Sequence, residues 1–167
     1  RLAYVSFEGG SSSIYIQNIA SGSREQIARF RGINGAPAFS PDGRRLALTL
    51  SRSGNPEIYV MNLGSKALTQ ITNQFGIDTA PAWSPDGNSL YFTSDRGGRP
   101  QIYQTPASGG GATRVTFEGN YNADPSISWD GQKIAVAQGA GNTYRIAVMD
   151  RSLGSPRWST LSPGSLD

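Results

Sequence analysis

Few side chains in this 167-residue chain could do chemistry, because the chain contains no cysteine and no histidine. Thiol nucleophiles, Ser-His-Asp triads and metal sites built on cysteine or histidine are therefore excluded. The glycine run 109–111 lacks the Lys-Ser or Lys-Thr that completes a phosphate-binding loop. No motif marks a catalytic carboxylate pair, so the sequence favours a binding protein over an enzyme.

Two carboxylates are the remaining candidates for a metal site. Asp78 and Asp124 each lie close to the start of a predicted strand. If the fold brings them together, they could hold a hard cation such as Ca²⁺, which prefers oxygen ligands. Their spacing does not match an EF-hand loop, and otherwise no cofactor is expected.

The charge of the chain is mild and dispersed. Lys and Arg number 15 against 12 Asp and Glu, which leaves a net charge of +3. A nucleic-acid-binding domain would cluster its cations, so no nucleic-acid partner is expected. No apolar run approaches the roughly 20 residues of a membrane span, so membrane insertion is not expected.

A turn motif recurs at a fixed interval and reveals the organisation of the chain. Segments 40–43 and 84–87 both read Ser-Pro-Asp-Gly, and segment 128–131 reads Ser-Trp-Asp-Gly. The first residues of successive copies, at 40, 84 and 128, are 44 residues apart. Proline presets φ, aspartate accepts a local hydrogen bond and glycine takes positive φ, so the motif indicates a tight turn. Apolar positions follow the same step, for example Ile14, Ile58, Ile102 and Ile146.

Each repeat predicts four short strands, because apolar runs and alternating segments are separated by turn residues. In the second repeat these are an inner strand over 36–40, a second over 45–51, a third over 57–63 and an outer one over 68–73. Four antiparallel strands per 40–50 residues are typical of a β-propeller blade. We therefore predict an all-β fold, a propeller of four-stranded antiparallel blades. A β-sandwich is the alternative, but sandwiches do not repeat at a fixed interval.

We expect the chain to hold part of such a propeller. Dividing 167 residues by the 44-residue step gives about 3.8 units, which we place at 1–35, 36–79, 80–123 and 124–167. Residue 1 aligns with residue 45, so the first unit lacks its inner strand and about 15 strands are expected. The three tryptophans, Trp83, Trp129 and Trp158, are expected in the core.

Three stretches of the chain resemble the TolB family of β-propeller proteins. They are segment 34–43 (NGAPAFSPDG), segment 58–63 (IYVMNL) and segment 92–103 (FTSDRGGRPQIY). The fourth unit departs from the pattern, because Trp129 replaces the turn proline, Ile127 the aromatic residue and Ala147 the tyrosine. The turn motif alone is less specific, since peptidases of the prolyl-oligopeptidase type carry similar propeller repeats.

The resemblance implies a six-bladed parent propeller behind a small α/β domain, located in the periplasm of Gram-negative bacteria. It implies that one mouth of the propeller binds Pal, the peptidoglycan-associated lipoprotein, and that bacteriocins exploit the protein for import. It also implies contact with TolA through an N-terminal segment that this sequence does not contain. These implications describe a non-enzymatic scaffold of the Tol-Pal system, which supports cell-envelope integrity and cell division.

The candidate binding residues lie in the loops that lead into the inner strands. Strands alternate in direction, so these loops share one face with the loops between second and third strands. Each loop presents an apolar or aromatic residue, then Asn or Asp, then small residues, as a protein-docking rim would. The predicted partner-binding residues are Ile33, Asn34, Ala36, Ile77, Asp78, Thr79, Tyr121, Asn122 and Asp124. In the TolB resemblance, Ile33, Ala36 and Thr79 lie in loops that match the Pal-binding mouth.

Other interpretations of the same residues stay open at this point. Asn and Asp before a strand often close their own loop, and an isoleucine there can pack between blades. The chain could also be the gating propeller of a prolyl-oligopeptidase-like peptidase, whose catalytic domain would carry a Gly-x-Ser-x-Gly motif. A third alternative is a glycan-binding propeller that uses Tyr121 and neighbouring amides.

Overall fold

The structure is a computed structural model that describes residues 1–161, apart from the side chain of residue 140. These residues form fifteen β-strands in four antiparallel sheets. The part of the fourth predicted unit beyond residue 161 lies outside the described residues. Within the described range, no helix is long and apolar enough to cross a membrane.

The first two sheets contain three and four strands in chain order. The first sheet is β1 (Leu2–Ser6), β2 (Ser13–Gln17) and β3 (Arg24–Ala28). The second sheet is β4 (Asn34–Phe39), β5 (Arg45–Leu50), β6 (Glu57–Asn62) and β7 (Leu68–Gln70). The first sheet lacks a counterpart of β4, as the repeat alignment predicts.

The third and fourth sheets repeat the arrangement of the second. The third sheet is β8 (Asp78–Trp83), β9 (Ser89–Ser94), β10 (Gln101–Pro106) and β11 (Thr113–Arg114). The fourth sheet is β12 (Asn122–Ile127), β13 (Lys133–Ala140), β14 (Thr143–Asp150) and β15 (Arg157–Thr160). The predicted four-stranded antiparallel repeat is therefore confirmed, and the sandwich alternative is not supported.

The hydrophobic core lies between successive sheets. Leu46 and Leu48 of β5 pack toward the first sheet, whereas Ala47 of the same strand packs toward the third. On β9, Phe92 faces the second sheet and Tyr91 faces the fourth. The middle strands are thus buried on both faces, which explains why their sequences are nearly continuous in apolar residues.

The sheets pack in chain order, first on second, second on third and third on fourth. Within the described residues, no strand pair between the first and fourth sheets packs to a comparable extent. The four sheets therefore form an arc of a propeller, in which β4, β8 and β12 are the inner strands.

Each inner strand carries the same distortion near its start. Ala36, Ala80 and Asp124 adopt left-handed φ values of 45°, 53° and 53°, and each precedes a proline. The pairing register with the second strand shifts at this point in all three sheets. The bulge allows β4, β8 and β12 to begin two residues before the predicted unit boundaries at 36, 80 and 124.

An arginine of one sheet holds the turn of the next. The Arg45 guanidinium lies 4.5 Å from the centroid of the Trp83 ring and donates a 2.8 Å hydrogen bond to the Gly87 carbonyl. Arg1 makes the same pair of contacts with Phe39, at 5.1 Å, and with Gly43, at 2.6 Å. Each arginine therefore adds a cation–π interaction and a hydrogen bond to a turn carbonyl to the apolar packing between sheets.

The fourth sheet lacks this contact, because Ser89 and Ile127 occupy the arginine and aromatic positions. Arg151 instead donates a 2.5 Å hydrogen bond to the Gly131 carbonyl. The predicted core position of Trp129 is wrong: its side chain is 98% exposed. It stands at the proline position of the turn, and the equivalent residues Pro41 and Pro85 are also exposed.

The Ser-x-Asp-Gly turns share one hydrogen-bond pattern. In the third sheet the Ser84 hydroxyl donates to the Asp86 carboxylate at 2.5 Å and accepts from the Ser89 amide at 2.9 Å. The serine hydroxyl, followed by a backbone N–H, holds the pKa of Asp86 below its usual value, and the same causes act on Asp42 and Asp130. The turn of the fourth unit makes the same hydrogen bonds, although tryptophan stands in place of proline.

We expect the Ser84→Ala variant to raise the pKa of Asp86 toward the ordinary aspartate value, because the strongest donor to the carboxylate is removed. A depressed folded-state pKa stabilises the fold above the unfolded pKa of about 3.9, and this contribution declines as the pH falls through the folded pKa. Carboxyl NMR titration of both proteins measures the shift. Asp42 serves as an internal reference, and an unchanged Asp86 midpoint would contradict the assignment.

Candidate functional site

One face of the arc collects the loops that lead into β4, β8 and β12 together with the loops between second and third strands. We call it the loop face, and the side with the Ser-x-Asp-Gly turns the turn face. The amide of Asp78 donates to the Pro56 carbonyl at 2.9 Å, and the amide of Asn122 donates to the Pro100 carbonyl at 2.9 Å. Each inner strand therefore starts bonded to a loop of the preceding sheet, which fixes the two kinds of loop side by side.

The nine predicted binding residues all lie at this face, but they differ in accessibility. The exposed ones are Ile33, Ile77 and Asp124; the half-buried ones are Ala36, Thr79 and Tyr121; the buried ones are Asn34, Asp78 and Asn122.

Asn34 and Asn122 close loops instead of facing solvent. Asn34 is 1% exposed, accepts a 2.8 Å hydrogen bond from the Phe30 amide and donates one to the Phe30 carbonyl. Asn122 is fully buried and donates to the Gln101 side chain at 2.9 Å and to the Glu118 carbonyl at 2.8 Å. Asn34 and Asn122, which the sequence places among the partner-binding residues, therefore follow the alternative interpretation and close their loops, because short loops leave backbone groups that need partners.

Asp78, which the sequence also places among the partner-binding residues, has a buried side chain. Its side chain is 2% exposed and its carboxylate lies 2.6 Å from the Arg96 guanidinium. Arg96 in turn lies 5.3 Å from the Phe92 ring centroid and 4.9 Å from that of Tyr103. The carboxylate of Asp78 is therefore committed to Arg96 and not free to share a cation with the exposed Asp124.

A metal-binding cluster is not found in the part of the chain that the structure describes. No three acidic side chains there gather closely enough to hold an ion. The chemistry of the loop face is that of contact surfaces: exposed apolar groups, aromatic rings and guanidinium groups over a hydrogen-bonded frame.

The exposed isoleucines are held firmly by their backbones. The Ile33 amide donates to the Ser51 hydroxyl at 2.7 Å, and the Ser51 amide donates back to the Ile33 carbonyl at 3.1 Å. The Ile77 amide donates to the Asp95 carboxylate at 2.8 Å. Both side chains are nevertheless about half exposed, at 50% for Ile33 and 49% for Ile77.

Three exposed phenylalanines lie in loops of the loop face without a counterpart in the other repeats. Phe7, Phe75 and Phe117 are 70%, 101% and 73% exposed, and each lies in a loop on this face. They occupy no common position in the 44-residue register, so alignment of the repeats does not select them. The signal that would have found them is a phenylalanine outside any strand pattern, beside polar residues or glycine.

Tyr121 forms an aromatic pair with a neighbour of the fourth sheet. Its ring lies 5.2 Å from that of Tyr144 at an angle of 74°, an edge-to-face contact. Burial raises the pKa of Tyr121, and Tyr144 and Asp124 add to the effect, so its hydroxyl stays neutral at physiological pH.

The family is decided by a match over the whole chain. A family model described as the TolB beta propeller domain matches residues 1–167. The chain belongs to the TolB family. The curated "Tol-Pal system protein TolB" of Xanthomonas campestris pv. campestris (strain B100) is 79% identical over all 167 residues. The chain spans 38% of that relative's length.

Solved structures of the family share the fold of the chain. TolB from Acinetobacter baumannii superposes with a TM-score of 0.89 at 46% identity, over 99% of this chain and 41% of that one. A putative TolB from Agrobacterium tumefaciens gives a TM-score of 0.86 at 25% identity, over 96% of this chain and 60% of that one. The predicted propeller fold, partial in this chain, is thereby confirmed.

The same comparisons do not support the alternative that the chain belongs to a peptidase. A prolyl endopeptidase superposes with a TM-score of 0.66, at 18% identity, over 93% of this chain and 26% of that one. This likeness shows a shared propeller fold and nothing about activity. Because the match to TolB relatives is far stronger, the chain is assigned to the TolB propeller family and not to a peptidase family.

Proposed function

We propose that the chain is part of a non-enzymatic, periplasmic scaffold of the Tol-Pal system and that its loop face binds Pal. The observation that carries the proposal is the concentration of exposed apolar residues on that face. Five of the exposed large apolar residues lie in its loops: Phe7, Ile33, Phe75, Ile77 and Phe117.

Exposed apolar side chains are typical of protein-docking surfaces when they stand on a rigid frame. Residues of this type provide anchors that lose contact with water when a partner binds. The frame is rigid because the loops are bonded to one another through backbone amides and buried Asn34, Asp78 and Asn122. A preformed surface lowers the ordering cost of binding, since few loops must be immobilised.

The exposed isoleucines are the anchors that the geometry supports best. Ile33 and Ile77 occupy equivalent positions in neighbouring sheets, and hydrogen bonds to Ser51 and Asp95 hold their backbones. Ala36 and Thr79 lie beside them on the inner strands, half-buried, and would leave room for the backbone of a partner.

The family relationship supports the identity of the partner. The Xanthomonas relative is named as a protein of the Tol-Pal system, and Pal is the partner that the sequence resemblance implies.

Bacteriocin translocation peptides would compete for the same face. Contact with TolA would require a segment outside this sequence. A six-bladed parent would continue the arc of sheets beyond the four described.

The test is a calorimetric titration of the Pal globular domain into the full-length protein. We expect Ile33→Ser and Ile77→Ser each to weaken Pal binding by about tenfold, because each removes one apolar anchor. The matched control is Ile19→Ser, since Ile19 is 72% exposed in the β2–β3 connection on the turn face.

The control variant should bind Pal with unchanged affinity. All three isoleucines are exposed, so circular dichroism and thermal unfolding should show intact folding in each variant. If the wild-type protein does not bind Pal, the proposed function fails. If Ile19→Ser weakens binding as much as the loop-face variants, the assignment of the face fails.

A further inference from the structure

A groove runs across the loop face between the third and fourth sheets. It consists of two hollows of about 230 Å³ and about 440 Å³ that share Arg99 and Asn120 in their linings. The smaller hollow is walled by Tyr121 and Tyr144, and the larger by Phe117 with Arg114. We call the two hollows together the Arg99 groove.

The Arg99 groove is cationic. Among residues 1–161, no aspartate or glutamate lines either hollow. The Arg99 side chain is exposed, and within residues 1–161 it has neither a hydrogen bond nor an ion pair. Arg114 is partly engaged, because it donates to the Thr116 carbonyl at 2.6 Å and stacks 5.1 Å from the Phe117 centroid. An unpaired guanidinium in such a place is suited to a carboxylate, which it can bind through two parallel hydrogen bonds.

Aromatic rings stand at both ends of the groove. Phe117 is 73% exposed and Tyr144 is 63% exposed, while Tyr121 packs edge-on against Tyr144. Exposed rings of this kind offer contact area for aromatic or apolar side chains. The groove therefore combines two guanidinium groups, those of Arg99 and Arg114, with aromatic rings at its ends.

Glycines line the groove and leave its backbone accessible. A Cβ at Gly139 would lie 2.9 Å from the Tyr121 Cβ, so the close approach of that tyrosine requires glycine. Gly98 and Gly141 both adopt positive φ and would meet no atom within 4 Å if a Cβ were added. A partner's backbone can therefore approach these positions closely, as an extended peptide does.

We propose that the Arg99 groove binds a short, extended, acidic segment of a protein partner, with aromatic or apolar residues beside the carboxylate. This proposal rests on the proposed function only in that the loop face docks a protein. A glycan fits the groove less well, because Gln101 is already bonded to Thr116 and Asn122. Few free polar side chains then remain for sugar hydroxyls, whose burial without partners is costly.

The experiment uses a fluorescein-labelled peptide, (Glu-Tyr-Gly)4, and the full-length protein at low ionic strength. Fluorescence anisotropy should show saturable binding, and the lysine analogue (Lys-Tyr-Gly)4 should not bind. Arg99→Glu should weaken peptide binding at least tenfold, because it replaces attraction by repulsion at the centre of the groove. Tyr144→Ala should weaken it about fivefold through loss of stacking.

The matched control is Arg31→Glu, which makes the same charge change on the same face outside the groove. Arg31 is exposed and has no hydrogen bond or ion pair within residues 1–161. It should change peptide affinity less than twofold. Equal weakening by Arg31→Glu and Arg99→Glu would overturn the proposal, because it would indicate diffuse charge attraction. Absence of wild-type binding, or displacement of the peptide by chitotetraose, would also overturn it.

A parallel Pal titration separates the two proposals. Pal binding without peptide binding removes only the Arg99 groove proposal. Peptide binding without Pal binding removes only Pal as the partner of the loop face and leaves the groove supported. Failure of both removes both.

Discussion

Replacement of Asp78 by alanine is expected to lower the free energy of unfolding by about 3–5 kcal/mol, since it leaves a nearly buried guanidinium without its partner. The side chain of Asp78 is 2% exposed and that of Arg96 is 18% exposed, and their charged atoms lie 2.6 Å apart. Urea unfolding of the full-length protein, followed by circular dichroism, measures the loss. The cost should be largest when only one charge of the pair is removed.

Two companion variants separate charge from packing. Asp78→Asn places there the residue that the second and fourth sheets use at Asn34 and Asn122, so it should cost clearly less than alanine. The double variant Asp78→Ala/Arg96→Leu removes both charges and should be more stable than Asp78→Ala alone. A double variant as unstable as the sum of the two single variants would show that the ion pair is not the source of the effect.

The repeat made most of the fold predictable. The 44-residue step, the Ser-Pro-Asp-Gly turn and doubly apolar strands such as β5 and β9 follow directly from residue types. The sequence pattern predicts the inner strands to begin two residues too late, because the left-handed residue at 36, 80 and 124 precedes a proline, a combination typical of loops. Pairing across a bulge depends on the partner strand, which local sequence does not describe.

The site was less predictable than the fold, and the reason is geometric. Asn34 has the same neighbours in sequence whether it faces solvent or closes its loop, and only the position of the Phe30 backbone decides. The burial of Asp78 could be predicted only with the knowledge that Arg96, eighteen residues away in sequence, lies next to it in the fold. Phe75 and Phe117 lie outside the repeat register, so the repeat pattern does not predict a role for them.

The fourth unit shows how a departure in sequence can be compensated in space. Tryptophan is usually a core residue, which is why Trp129 is predicted there, but the turn position that it occupies is solvent-exposed in all three units that contain the turn. The arginine and aromatic partners that join earlier sheets are both absent at Ser89 and Ile127. Arg151, which lies in the connection between β14 and β15, donates the hydrogen bond to the turn carbonyl, that of Gly131, instead.

Replacement of Phe92 by alanine is expected to lower the free energy of unfolding by about 3–5 kcal/mol, because it empties a fully buried site between the second and third sheets. The repeat supplies the matched control: the equivalent residues are Leu48 in the second sheet and Val136 in the fourth. Phe92→Leu should therefore cost about 1–2 kcal/mol, since leucine fills much of the same volume. Urea unfolding of both variants gives the comparison.

Phe92 also connects the core to the loop face, and this connection makes the prediction sharper. The Arg96 guanidinium lies 5.3 Å from the Phe92 centroid, so loss of the ring removes one support of the Asp78–Arg96 pair. The effects of Phe92→Ala and Asp78→Ala should then be non-additive by at least about 0.5 kcal/mol, as expected for residues that share a partner. Leu46→Ala, in the core between the first and second sheets, should combine additively with Asp78→Ala. Additivity in both cycles would mean that the ring and the ion pair act independently.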